Sequence, residues 1–134
     1  MENNGWLEYT LDTTVNTFGY DVTQIDVFHG WQDDGRDRSN FSVSVSTVSL
    51  PDTFTTIYSG ATYDPPSNYG RTSIVSVTAT CVKKVRINFG AQENDWTGQS
   101  EIDVIGAAAS SPAVPNAPSN LTATPISDTQ INLA

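Results

Sequence analysis

Nine side chains able to stack, donate or accept hydrogen bonds crowd into three segments of the sequence. These segments run from His29 to Asn40, from Gly60 to Arg71 and from Gly90 to Gln99, and they hold His29, Trp31, Arg36, Arg38, Tyr63, Tyr69, Arg71, Asn94 and Trp96. The intervening stretches near Asp12–Gly19, Ser49–Asp52 and Thr80–Lys83 hold little beyond Thr, Ser, Asn, Pro and Gly, apart from Phe18. Indole and phenol rings offer flat apolar faces with a polar edge. Guanidinium, imidazole and amide groups supply directional donors and acceptors. That combination suits a ligand with both C–H faces and dense hydroxyls. Trp31 or Trp96 would serve as platform, Tyr63 and Tyr69 as side walls, and His29, Arg36, Arg71 and Asn94 as polar contacts.

Each of these residues also has a structural alternative. Trp31 can pack its loop onto the body, and Arg36, within Asp33-Asp34-Gly35-Arg36-Asp37, can close a turn with its neighbours. Arg38 reads as a loop brace and His29 as a surface cap at a strand end. Pro65-Pro66 stiffens the middle segment for its own sake.

Period-2 alternation places these segments between strands. Trp6–Leu11 sets Leu7, Tyr9 and Leu11 against Trp6, Glu8 and Thr10. Tyr20–Phe28 turns Val22, Ile25 and Val27 inward, with a change of phase at Thr23-Gln24 that reads as a bulge. Phe41, Val43 and Val45 alternate with three serines over Phe41–Ser46, and Val85, Ile87 and Phe89 alternate with Arg86 and Asn88. Further strands are expected at Phe54–Tyr58, Ser73–Ala79 and Glu101–Ile105, the last with Ile102 and Val104 inward. No window has a helical repeat. Seven short strands with turn-rich connections predict an all-β fold, an antiparallel β-sandwich of jelly-roll type. If each strand reverses the one before it, the second, fourth and sixth connections share an end, and these are the three chemically rich ones.

The 134 residues suffice for one domain and a tail. Six basic residues against fifteen acidic ones give a net charge of −9, which argues against nucleic acid and against an anionic membrane surface. Cys81 is the only cysteine, so no intrachain disulfide or thiolate metal cluster can form, and a small buried apolar role is expected for it. Met1–Gly5 has neither a basic nor an apolar region, so no leader is expected there. Few lysines and many Thr and Ser suit an extracellular, bacterial setting. Catalysis is not expected: there is one His, one Cys and no nucleophile elbow. Glu93, Asp33 and Asp95 are acids that any polar loop would carry, and Asp33-Asp34-Gly35-x-Asp37 does not fit a calcium-binding loop.

After Gly106 the composition shifts. Residues 107–118 form an Ala/Ser/Pro linker, and residues 119–134 bring new alternation. The opening Ala117–Ala123, followed by Ile131 and Leu133, resembles the start of a fibronectin type III domain. Alternatively, the tail is a strand that pairs with a neighbouring copy and makes the chain a homo-oligomer.

Three features of residues 1–106 resemble the galactose-binding-like family, which includes discoidin domains and many bacterial carbohydrate-binding modules. They are Trp6–Leu11, the Phe41–Ser46 strand, and Glu101-Ile-Asp-Val-Ile-Gly106 at the end. The resemblance implies a non-catalytic, secreted, lectin-like module that binds glycan through loops at one end. Glu101 matches a position that gives a carboxylate to a structural calcium in that family. One Glu cannot supply the six to eight oxygens such an ion takes, so no cofactor is expected, with that calcium the exception the resemblance leaves open. The alternative reading is a structural or adhesive module that assembles by strand addition.

Overall fold

The computed structural model describes residues 5–30, 36, 38–61, 70–92, 95, 96, 98–111, 123–127 and 130–133; of residues 70, 71, 92, 123–126 and 130–133 only the backbone is described. Eight antiparallel strands run through the described residues: β1 (Trp6–Thr10), β2 (Tyr20–Gly30), β3 (Ser39–Thr47), β4 (Thr55–Ala61), β5 (Gly70–Gln92), β6 (Gln99–Ala108), β7 (Ala123–Ser127) and β8 (Gln130–Leu133). The fold is all-β and antiparallel, as the alternation predicts.

The strand β5 organises the six-stranded sheet. Its first half pairs with β2, Ile25 opposite Val75, and β2 pairs in turn with β6, Ile25 opposite Val104. Its second half pairs with β1 and β3, placing Leu7 and Val43 on either side of Ile87, and β3 pairs with β4. Fully extended, the 23 residues of β5 would span ~75 Å. Gly30 nevertheless pairs with Gly70 at one end of β5 and Ser39 with Gln92 at the other, and residues 31–38 between them reach at most about 30 Å. The strand must therefore fold over on itself. It does so at Cys81, whose backbone is left-handed at φ 54°. Two layers result, β5–β2–β6 and β4–β3–β5–β1, both running through the one bent strand.

The corner is held from three sides. The Asp21 carboxylate accepts the Cys81 N–H at 3.1 Å, and the Cys81 carbonyl accepts the Val48 N–H at 2.9 Å. Gly19, itself at φ 80°, lies so close that a Cβ would stand 2.6 Å from the Val82 carbonyl. Here the sequence expectation is corrected. Ser73–Ala79 and Val85–Phe89 are one strand, and Thr80–Lys83 is a corner within it rather than a loop. Cys81 is half-buried at that corner rather than part of the interior.

The core fills the space between the layers. Val22, Ile25, Val27, Phe41, Val43, Val45, Val75, Ala79, Val82, Val85, Ile87 and Phe89 are buried. Each large member contributes ~1.5–3 kcal/mol through its removal from water. The expected bulge in β2 is present, with register shifts flanking Val22 and Gln24, and it lets Val22 and Ile25 both face inward although three positions apart. The last ladder runs beyond Gly106: Ala107 and Ala108 pair with Asp21 and Tyr20. β7 and β8 pair with each other in a separate two-stranded sheet.

Candidate functional site

The registers bring six strand ends together. Gly30 faces Gly70, Ser39 faces Gln92, Asn40 faces Ala61, and His29 faces Gln99. The connections 31–38, 62–69 and 93–98 thus leave from one end of the sandwich, and they lie within the three segments singled out in the sequence. The Asp12–Gly19 connection, the Ser49–Asp52 turn and the Cys81 corner lie at the other end.

Two of these connections are tied directly. The Gly98 N–H donates to the Arg36 carbonyl at 2.7 Å, and the Gly30 N–H donates to the Gly98 carbonyl at 3.1 Å. The Arg36 guanidinium lies 5.9 Å from the centre of the Trp96 ring, within cation–π range. Trp96 nonetheless keeps 44% of its surface exposed. Asp95, just before it, sits in the left-handed region at φ 63°, which Asp tolerates better than most residues. Arg38 is exposed in the same connection as Arg36.

His29 is not a surface group. Only 2% of it is accessible, its ring centre is 5.7 Å from that of Phe41, and its Nδ1 lies 2.8 Å from the Gln99 Nε2. Phe41 continues the stack onto Tyr58, 5.4 Å away. His29 is therefore a beam under the loops, joining β2, β6 and β3, rather than the ligand contact or surface cap its place at a strand end suggests. Trp31, Tyr63, Tyr69, Asn94 and the Arg71 side chain lie outside the described residues; the Arg71 backbone pairs with His29.

Glu101 is exposed on the outer face of β6, opposite Phe28. Among the described residues no three His, Cys, Asp or Glu side chains gather to hold a metal ion.

Sequence reasoning passed over the outer face of the β4–β3–β5–β1 layer. There Arg86 donates to Glu8 Oε2 from Nε at 3.0 Å and from Nη2 at 2.6 Å. Its guanidinium lies 4.8 Å from the Trp6 ring centre and 3.8 Å from that of Phe54. Lys84 adds a bond to Asp52 at 3.1 Å. Near the loop end of this face, Asn40, Ser42, Ser59, Asn88 and Gly90 line a depression of about 380 Å³. The signal for this face was present in the alternation, which already turned Trp6, Ser42 and Asn88 outward.

No protein-family model matches the sequence, and no curated protein or solved structure matches it.

Proposed function

We propose that this chain is a non-catalytic carbohydrate-binding module of a secreted multidomain protein and that it takes glycan through the loops at one end of the sandwich. One observation carries the reading. Trp96 is braced by Arg36 from another loop yet remains 44% exposed. An indole held in place and still open to water is a platform for the C–H face of a sugar ring, and it loses little freedom when a ligand arrives. Arg36 stands beside it as a donor to hydroxyls. The bond between buried His29 and Gln99 keeps the loop bases in register.

The galactose-binding-like resemblance agrees with this reading, and the β7–β8 pair is compatible with the opening of a fibronectin type III domain on a linker. The alternative of assembly through the tail draws less support, because β7 and β8 spend one ladder edge on each other.

A glycan array probed with the wild type and with Trp96→Ala tests the proposal. The wild type is expected to bind a subset of glycans, and Trp96→Ala to lose that signal by tenfold or more with an unchanged melting curve, since so exposed a ring contributes little to the core. Equal binding by the two proteins, or silence of the wild type on every glycan, contradicts it.

A further inference from the structure

The outer face of the β4–β3–β5–β1 layer carries a row of side chains that the fold itself does not use. Trp6 is paired with Asn88, Asn88 with Ser42, and Ser42 with Ser59, crossing β1, β5, β3 and β4 in turn. All four lie out of phase with Leu7, Ile87, Val43 and Tyr58, which pack on or within the core. Three inter-strand steps make the row ~14 Å long.

The next row down is closed on itself. Glu8 accepts two bonds from Arg86, and the Ser44 and Thr56 hydroxyls lie 3.1 Å apart. In the Trp6 row the one side-chain bond between described residues is the long contact from Asn88 Nδ2 to Ser42 Oγ, 3.4 Å. Asn88, Ser42 and Ser59 therefore keep most of their donor and acceptor capacity. Trp6 is 55% exposed and is steadied by Arg86. Above the row, Asn40 and Gly90 complete the depression of about 380 Å³. A Cβ at Gly90 would stand 3.5 Å from the Asn40 Cβ and narrow that space.

We propose that this row is a second carbohydrate-binding site, separate from the loop end, that takes a neutral polysaccharide chain laid across the strands. Amide and hydroxyl groups both donate and accept, as a polyhydroxyl chain does. The charges bordering the row are already paired, Arg86 with Glu8 and Lys84 with Asp52, so nothing there selects a charged ligand. An exposed indole at one end of a polar shelf supplies the stacking surface. The row runs perpendicular to the strands and is longer than it is wide, which favours a length of chain over a single ring. The site shares a ligand class with the loop-end reading and none of that reading's proposed contact side chains.

Native gels cast with hydroxyethyl cellulose, lichenan, xylan or galactomannan test this with the full chain. The wild type, Trp6→Ala, Asn88→Ala, Ser59→Ala and Trp96→Ala are run in each. At least one polymer is expected to retard the wild type, with apparent affinity falling roughly tenfold in Trp6→Ala and Asn88→Ala and by less in Trp96→Ala. Trp6→Ala also removes a stacking partner of Arg86, so it is read only if its melting curve matches the wild type. Asn88→Ala and Ser59→Ala alter outward groups and carry the result otherwise. Undiminished retardation of folded Asn88→Ala overturns the proposal. So does wild type running freely in every polymer, an outcome that leaves the array result for short glycans at the loop end standing. Loss in Trp96→Ala equal to that in Asn88→Ala means one continuous site, and overturns a separate one.

Discussion

Arg86 shows how a single side chain can be structural and still prepare a surface. Its fork matches the Glu8 carboxylate, and its flat face meets both Trp6 and Phe54. Its side chain is 31% exposed and that of Glu8 19%, so the pair is partly shielded from water. Arg86→Ala is expected to lower stability by about 1–2 kcal/mol in urea unfolding, because Glu8 loses its donors and two rings lose their cover. Arg86→Lys keeps the charge but not the fork or the plane, and is expected to recover less than half of that loss. Equal stability of Arg86→Lys and wild type contradicts the geometric account. His29 makes the complementary point. Its burial follows from the alternation of Val27 and His29, two positions apart on one face, once β2 is carried through to Gly30. Ending the strand at Phe28 hides that, because a residue just past a strand end has no assigned face.

At the scale of the element, the bend in β5 is the feature that lets two layers share one strand. Most strands are legible because their alternation is clean: Phe41–Ser46 and Val85–Phe89 lie within β3 and β5 with their apolar residues inward, although Ser44 and Ser46, which the alternation turns outward, are buried as well. The corner is not legible. Thr80-Cys81-Val82 contains no Gly, Pro or Asn to announce a left-handed residue, and the support comes from Asp21, which is 60 positions away in sequence. Ala107 and Ala108 escaped for the opposite reason: small residues read as linker, yet their backbones pair with β2. Cys81→Val places a β-branched side chain at φ 54°, and is expected to cost about 2 kcal/mol in chemical denaturation. Cys81→Gly relieves the same backbone and is expected to stay within about 1 kcal/mol of the parent. Tolerance of Val with loss in Gly would mean that the side chain, not the left-handed backbone, governs the corner.

For the whole molecule, the antiparallel reversals gather chemistry that is scattered along the chain. That was legible from counting strands, and it survives the fusion of two expected strands into β5, because the bend reverses direction just as a turn would. What the sequence does not disclose is which of the gathered side chains face water. Trp96 does and His29 does not, although both stand at the same end. A net charge of −9 disfavours acidic polysaccharides as ligands of the proposed site. The most direct measurement is a two-dimensional amide NMR titration of the whole chain with a short glycan that scores on the array. Shifts are expected in Gly30–Asn40, Gly60–Arg71 and Gly90–Gln99 and at the Trp96 indole N–H, with Asp12–Gly19 and Ser49–Asp52 unmoved. Shifts centred on those last two segments, with the Trp96 indole silent, would contradict a sugar site at the loop-bearing end.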